Sequence, residues 1–148
     1  MEPRVDDIKV SVAFLCHDGK GSFLLHLRSD KNRDEHNTWE AGAGEMEFGE
    51  TPEQALIREV KEEYGCSIKQ YSFLKQFDYI QQDKSQLIHW SAMIYVVLVD
   101  PAEVKVMEPK KNLQNGWFTF NTLPQPLHSA VDFVLKNCRP ELEKMLKL

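Results

Sequence analysis

Three glutamates crowd one short stretch near the middle of the chain. Glu59 stands three positions before Glu62 and four before Glu63, so on a helix their carboxylates are neighbours. Each like-charge pair at this spacing destabilises an exposed helix by roughly 0.2–0.5 kcal/mol. The three charges also lie toward the C-terminal end of the predicted helix, where the macrodipole disfavours negative charge. Local stability therefore does not explain the cluster.

A hard divalent cation would explain it. Magnesium takes oxygen ligands, keeps several waters and is commonly bridged between carboxylates and substrate phosphates. The alternative is a solvated acidic face, which an acidic helix alone favours. Arg58 and the preceding glycines Gly42, Gly44 and Gly49 favour the metal, because a glycine backbone can approach a ligand without obstruction by a Cβ atom.

The acidic stretch lies on a helix whose two ends are marked in the sequence. Thr51 is predicted as the N-cap, Pro52 takes the first helical position, and Gln54 completes a capping box. Gly65 is suited to the left-handed position that follows a helix. The sequence therefore predicts a helix over residues 51–64, and its apolar face must pack on a sheet. That face is formed by Leu56, Ile57, Val60 and Tyr64.

Strands are predicted around this helix. The alternation of apolar residues and the turn residues between them indicate strands at 8–16, 22–27, 38–41, 71–80, 86–99 and 117–120. Polar turns or loops are predicted at 18–21, 28–37 and 81–85, and residues 42–49 are predicted to be irregular. A second helix is predicted at 126–137. Within strand 71–80, Tyr71, Phe73, Phe77 and Tyr79 are predicted to share one side. The pattern is typical of an α/β sandwich around a mixed sheet.

Composition limits the function classes. The chain has 148 residues, a net charge of −5, and three cysteines without a CxxC spacing. We expect one domain over residues 1–148, a reducing, cytoplasmic location without membrane attachment, and either a monomer or a homodimer. An acidic surface argues against binding a nucleic-acid polymer, which needs cations to neutralise phosphates. A small nucleotide held through a metal remains compatible with this charge.

Taken together, these residues resemble the Nudix box, G-x5-E-x7-R-E-U-x-E-E-x-G-U with U aliphatic. A chance match at a given start is on the order of one in 10⁸ or rarer. The likeness to MutT-type members extends to Trp39-Glu40, residues 49–54, Gly116-Trp117-Phe118 and Leu123-Pro124. The resemblance implies a Nudix-type α/β/α sandwich around a mixed sheet. The seven fixed positions are occupied by Gly44, Glu50, Arg58, Glu59, Glu62, Glu63 and Gly65.

The resemblance also implies roles. Glu59, Glu62 and Glu63, with the backbone carbonyl of Gly44, would bind Mg²⁺, for which Mn²⁺ can substitute. Glu59 would be the general base. Arg58 and Glu50 would orient the carboxylates, a structural salt bridge being the alternative for Arg58. Three departures from the family pattern are Cys66 at the last aliphatic position, Gly42-Ala43-Gly44 in place of Pro-Gly-Gly, and Glu108 as the nearest candidate for an additional acidic ligand.

Substrate contacts are predicted outside the box. The cationic and aromatic candidates, each with a solvated or core role as the alternative, are Arg28, Arg33, Phe77, Tyr79 and Trp90. His128, near the start of the last helix, is the candidate reader of a base, the alternative being a surface histidine.

The resemblance implies hydrolysis of a nucleoside diphosphate linked to another group. The compact chain favours a nucleoside triphosphate, including an oxidised one such as 8-oxo-dGTP, cleaved to a monophosphate and pyrophosphate. The alternatives are dinucleoside polyphosphates, ADP-ribose or nucleotide sugars on the same box, and a non-catalytic nucleotide-binding module. Such modules typically lose box glutamates, and this chain keeps them all.

Overall fold

The computed structural model describes residues 7–83 and 85–147. This part of the chain forms one mixed sheet and three helices, and a short 3₁₀ turn at Pro101–Glu103 follows the longest strand pair. In chain order the elements are β1 (Asp7–His17), β2 (Phe23–Arg28), β3 (Trp39–Glu40), β4 (Gly42–Glu45), α1 (Pro52–Tyr64), β5 (Gln70–Asp83), β6 (Gln86–Leu98), β7 (Asn112–Phe118), α2 (Ser129–Asn137) and α3 (Arg139–Met145).

The sheet is built around β1. Its strands run in the order β3-β2-β1-β6-β5, while β4 also pairs with β1 and β7 with β2. The β1–β6 pair is parallel and the other pairs are antiparallel. Along one edge of β1, β4 pairs from Ser11 to Phe14, whereas β2 pairs only at His17. The sheet therefore divides along this edge, where β4 rather than β2 pairs with the middle of β1.

Each face of the sheet carries a helical layer. Val12, Phe14 and Cys16 of β1 point to the face covered by α1, and Leu15 points to the face covered by α2 and α3. This alternation follows from the two-residue period of a strand. The α/β/α sandwich around a mixed sheet is confirmed.

Helix α1 forms as its sequence signals predict. The Thr51 side chain accepts a hydrogen bond from the backbone N–H of Gln54, whose side chain accepts one from the Thr51 N–H. Gly65 ends the helix in the left-handed region, with φ of 70°. Both ends of the most informative element were therefore predicted correctly.

Several elements differ from prediction. Residues 42–45 are β4 rather than irregular, because β1 supplies pairing partners that override the weak strand propensity of Gly-Ala-Gly. Residues 126–127 do not begin a helix, because Trp39 pairs with Leu127 and donates to the Pro126 carbonyl. Strand β7 begins at residue 112 rather than 117. Helix α3 was not predicted. The turn predicted at 81–85 is shorter than expected, because β5 continues to Asp83 and β6 begins at Gln86; residue 84 lies outside the described residues.

The prediction that four aromatic residues of β5 share one side was wrong. A bulge between Phe73 and Lys75 shifts the register of β5 against β6. Phe73 is therefore paired with Tyr95, on the α1 face, whereas Phe77 and Tyr79 are paired with Ala92 and Trp90, on the α2 face. An extra residue in a strand reverses the side of every residue beyond it. The bulge thus brings two aromatic rings to the α2 face.

Two further observations bear on the expectations about the chain's environment. Cys16, Cys66 and Cys138 are buried free thiols. None of the helices in residues 7–83 and 85–147 has the length and apolar character that a membrane crossing requires.

Candidate active site

The box carboxylates meet the backbone of β4. A Cβ atom added to Gly44 would lie 2.0 Å from the carboxyl carbon of Glu59, so the Glu59 side chain occupies the space that any other residue would fill. The Glu63 carboxylate accepts from the Ala43 N–H at 3.4 Å. Glu59 and Glu63 are 15% and 12% exposed, whereas Glu62 is 54% exposed. The helix therefore turns two carboxylates inward onto β4 and one toward solvent.

Arg58 joins the loop before α1 to the carboxylates. Its Nε and Nη2 atoms donate to the two oxygens of Glu50 at 2.7 and 2.8 Å. Nη1 donates to Glu59 at 2.7 Å, and Nη2 also donates to the Glu45 carbonyl at 3.1 Å. A planar fork that holds one carboxylate at two points fixes its direction. The predicted orienting role of Arg58 and Glu50 therefore has the contacts it requires.

The electrostatics of the cluster separate its members. Hydrogen bonds from Arg58 lower the pKa of Glu50 to about 2. Burial raises the pKa of Glu59, against the hydrogen bond from Arg58. Burial, followed by the charge of Glu40, raises the pKa of Glu63 well above its usual value. Two inward carboxylates thus resist ionisation, because bringing several negative charges together in a poorly solvated site is unfavourable.

The donor set fits a hard divalent cation. Its inward groups are carboxylate oxygens, and Gly44 leaves the backbone bare beside Glu59. Glu108 stands close enough for its charge to raise the pKa of both Glu59 and Glu63. A cation would relieve this repulsion and would be bound by oxygen ligands of the kind magnesium prefers. Glu59, Glu62, Glu63 and Glu108 are the side chains that would hold it.

Substituting Gly44 with alanine is expected to weaken metal binding by about 10–100-fold, the usual effect of disturbing groups around a metal ligand. The added Cβ would collide with the Glu59 carboxyl group, and the carboxylate must move. Titration with Mn²⁺, followed by electron paramagnetic resonance, measures the affinity.

Gly49→Ala is the matched control for Gly44→Ala. A Cβ at position 49 meets nothing within 4 Å, but φ there is +88°, so alanine should cost about 1 kcal/mol of folding stability. Metal affinity should stay unchanged. If Gly44→Ala bound Mn²⁺ as tightly as the unmodified protein, the contact of Glu59 with Gly44 would have no part in metal binding.

Metal binding is expected to release protons. The raised pKa values of Glu59 and Glu63 mean that the folded, metal-free protein keeps protons that the unfolded chain loses. This contribution to stability is complete below the ordinary carboxyl pKa of 4.5 and is lost as pH rises through the raised values. Calorimetric titration of Mg²⁺ at about pH 6 in two buffers of different ionisation enthalpy should reveal proton release. The prediction would be contradicted by identical binding heats in both buffers, or by undiminished proton release in the variant Glu63→Gln.

A cavity of about 510 Å³ opens on the α2 face of the sheet beside the box. This volume suits a small-molecule ligand. The ring centroids of Phe77 and Tyr79 are 5.8 Å apart with the planes 29° from parallel, and Phe133 of α2 lies 5.4 Å from Phe77. Ala43, whose N–H contacts Glu63, belongs to the cavity wall. The aromatic cavity and the carboxylates therefore share a boundary.

Two predicted cationic contacts also line this cavity, in different states. Arg28 is largely occupied, because it donates to Glu40 and to the Asp34 side chain and carbonyl. Arg33 is 57% exposed, with Asp34 at 3.3 Å, and its charge acts on Tyr79 across the cavity. Arg33 is thus the more available cation for a ligand phosphate.

The structure separates the remaining two predicted contacts. Trp90 does not line the cavity; its Nε1 donates to Gln81 and Lys9 lies over its ring. His128 lines the cavity but has both ring nitrogens engaged. Nδ1 accepts from the Ala130 N–H at 3.1 Å, and Nε2 lies 2.9 Å from Glu35. In this structure His128 caps α2 and holds Glu35, so no ring nitrogen is free to read a base.

Four residues around the site were not predicted. They come from separate elements, and each contacts a partner distant in sequence. Polarity within the otherwise apolar segment 23–27 was a signal for His26, and the position of Glu40 beside Trp39 was one for Glu40. Nothing local marked Glu35 or Phe133. The four residues are His26, Glu35, Glu40 and Phe133.

Comparison with known proteins agrees with this geometry. The model of the NUDIX domain matches residues 7–137. The chain belongs to the Nudix family.

Individual relatives span different parts of the chain. The NAD-capped RNA hydrolase NudC of Pectobacterium carotovorum subsp. carotovorum is 32% identical over 132 residues, covering 79% of this chain and 48% of that protein. The 8-oxo-dGTP diphosphatase of Escherichia coli is 29% identical over 77 residues, covering 52% of this chain and 58% of that protein. The chain thus spans about half the length of these curated relatives.

Solved structures match more completely. A MutT NUDIX hydrolase from Burkholderia pseudomallei has 29% identity and a TM-score of 0.75, covering 87% of this chain and 96% of that one. The MutT protein from Methanosarcina mazei, at 20% identity and a TM-score of 0.74, covers 93% and 97% and supports the fold alone.

Proposed function

We propose that the protein is a pyrophosphohydrolase that acts on nucleoside diphosphate-X compounds with Mg²⁺, or with Mn²⁺ in its place. One observation carries the proposal: a cavity with stacked aromatic rings shares its wall at Ala43 with the inward carboxylates of the box. A base stacks on aromatic rings whatever its identity, and the phosphates of such a ligand would extend along the shared wall toward the carboxylates.

Roles follow from the contacts. A bound divalent cation would neutralise phosphate charge and make water more acidic. Glu59 is largely buried between Gly44 and Arg58, and we assign to it the proton of the attacking water, while the Arg58–Glu50 pair holds its direction. Arg33 stands at the cavity to meet a phosphate. These residues bind and orient the substrate and accept the proton of the attacking water. The reaction cleaves a phosphoric anhydride bond of the substrate.

We propose a nucleoside triphosphate as the substrate, including oxidised forms such as 8-oxo-dGTP, cleaved to a monophosphate and pyrophosphate. The relative from Escherichia coli named 8-oxo-dGTP diphosphatase supports this choice, as does a cavity of about 510 Å³, a volume usual for small-molecule sites. The acidic chain, of net charge −5, supports a small nucleotide as partner rather than a nucleic-acid polymer.

A second candidate substrate is a dinucleoside diphosphate such as NAD, either free or at the end of an RNA. It is favoured by the relatives named NAD-capped RNA hydrolase. This substrate would place a second nucleoside outside the aromatic cavity.

A panel of nucleotides with Mg²⁺ separates the two candidates. The panel contains canonical and oxidised triphosphates, ADP-ribose, NAD and dinucleoside polyphosphates, and separated products are quantified by chromatography. Hydrolysis in ¹⁸O-labelled water locates the bond attacked: label in the monophosphate indicates attack at the α phosphorus. The triphosphate proposal fails if NAD, ADP-ribose or a dinucleoside polyphosphate is hydrolysed faster than every triphosphate. Absence of hydrolysis throughout would favour a binding module.

A further inference from the structure

His26 is a buried polar side chain at the centre of the molecule. It is 2% exposed and lies in β2 between apolar neighbours. Its Nδ1 atom is 2.8 Å from the Tyr64 hydroxyl oxygen. Its Nε2 atom is 3.4 Å from a Glu63 oxygen and 3.8 Å from a Glu40 oxygen. Burying an imidazole is costly unless both nitrogens find partners, and these three groups supply them.

The partners define the orientation of the ring. Glu40 accepts a hydrogen bond from Arg28, and a carboxylate paired with an arginine is ionised and only accepts. The ring nitrogen that faces Glu40 and Glu63 therefore carries a proton. The opposite nitrogen then accepts from the Tyr64 hydroxyl, which fixes both the tautomer and the rotation of the ring. Tyr64 is itself buried and packs edge-on against Phe14. A rigid tyrosine thus holds the imidazole against a box carboxylate.

The same contacts continue to the cavity. Glu40 is the cross-strand partner of His26 and accepts a hydrogen bond from Arg28. Arg28 in turn donates to Asp34, in the loop that lines the cavity. Side chains from α1, β2, β3 and this loop are therefore joined in one series, which begins at a box glutamate and ends at the cavity.

We propose that His26 is a positioning residue: it holds the Glu63 carboxylate in its metal-binding direction and, through Glu40, keeps that carboxylate aligned with Arg28 at the cavity. His26 lies outside the box motif and acts through Glu63 rather than on substrate. The inference rests on the proposed role of the box in binding a divalent cation. Groups that orient a ligand commonly contribute 10–100-fold to metal affinity.

Two amides at position 26 test which ring nitrogen matters. The amide nitrogen of glutamine reaches about as far as Nε2, and that of asparagine about as far as Nδ1. We expect His26→Gln to keep most of the affinity for Mn²⁺, since its amide nitrogen can still lie against the Glu63 carboxylate. His26→Asn should raise the dissociation constant by about 10–100-fold. Electron paramagnetic resonance of Mn²⁺ alone, without nucleotide, measures both, and circular dichroism checks that each variant is folded.

Tyr64→Phe gives an independent measurement. It removes the hydroxyl that fixes the ring while keeping the packing against Phe14, and we expect weaker Mn²⁺ binding. Tyr71→Phe is the matched control, because Tyr71 lies on the edge strand β5. The Mn²⁺ affinity of this variant should equal that of the unmodified protein. If either variant at position 26 does not fold, Tyr64→Phe decides the question.

Equal affinities of His26→Gln and His26→Asn, or unchanged affinity in folded Tyr64→Phe, would overturn the inference. Because Mn²⁺ is titrated without nucleotide, this result is separate from the proposed function. A protein that loses Mn²⁺ affinity in His26→Asn but hydrolyses none of the tested nucleotides would support the role of His26 and refute the proposed activity. Full hydrolysis together with unchanged Mn²⁺ affinity in every variant would support the proposed activity and refute the role of His26.

Discussion

Removing divalent cations is expected to lower hydrolysis at least about a thousandfold. Without a cation, the inward carboxylates of Glu59 and Glu63 and the phosphates of the substrate repel one another. A catalytic metal typically supplies several kcal/mol of transition-state stabilisation, and each 1.4 kcal/mol corresponds to a tenfold change in rate. Formation of the nucleoside monophosphate from the best substrate is measured after dialysis against excess chelator and again after Mg²⁺ or Mn²⁺ is restored.

The control separates loss of the cation from loss of the fold. Circular dichroism in chelator should show an intact protein, because two apolar layers pack the sheet independently of the box carboxylates. Restored Mg²⁺ should return the full rate and raise the melting temperature, since a ligand that binds only the folded state stabilises it. Turnover that persists unchanged in chelator would refute a metal-dependent mechanism.

The fold could be predicted where local signals agree with one another. Helix α1 carries a capping box at one end and a left-handed glycine at the other, and both signals depend on neighbouring residues alone. Strand β4 lacks such signals, because Gly42, Ala43 and Gly44 have weak strand propensity and are extended only by pairing with β1. The bulge after Phe73 likewise depends on the register against β6. Pairing between distant segments is what the sequence pattern does not contain.

The same distinction between local and long-range contacts applies to the candidate site. The box spacing placed Glu59, Glu63 and Arg58 correctly on one helix, because residues three and four apart meet on a helical surface. His26 and Tyr64 are 38 residues apart in sequence, and Phe133 meets Phe77 only after the bulge has turned that ring to the α2 face. The carboxylate cluster is local in sequence, whereas the cavity and the groups that contact the cluster are assembled from five or more elements.

This division explains why the substrate was harder to predict than the reaction. Helix α1 alone sets the spacing of the carboxylates, but the cavity is lined by β5, α2 and the loop around Arg33. Glu35 lies in that loop and accepts hydrogen bonds from both the backbone N–H and the hydroxyl of Ser129. These hydrogen bonds hold the loop against α2. A base in the cavity therefore meets side chains whose directions are set by contacts between distant segments.

Replacing Glu59 with glutamine is expected to lower turnover by about 10²–10⁴-fold, the usual contribution of a general acid–base residue. The amide oxygen can still accept from Arg58, and the side chain keeps the shape that packs on Gly44. The substitution removes the group that accepts the proton, and it also relieves repulsion from Glu62 and Glu108. Folding stability should therefore be unchanged or higher. Turnover is measured at saturating Mg²⁺ and substrate, and stability by thermal melting.

Glu53→Gln is the matched control for Glu59→Gln, because Glu53 is an exposed glutamate in the first turn of the same helix and occupies a variable position of the box. It should leave turnover close to that of the unmodified protein. The Mn²⁺ affinity of Glu59→Gln distinguishes proton transfer from metal binding: a loss of turnover that disappears as Mn²⁺ is raised reflects weakened binding, whereas a loss that remains at saturation reflects the base. Unaltered turnover with unaltered metal affinity would remove Glu59 from the proton-transfer step and direct attention to the exposed carboxylate of Glu62 on the same turn.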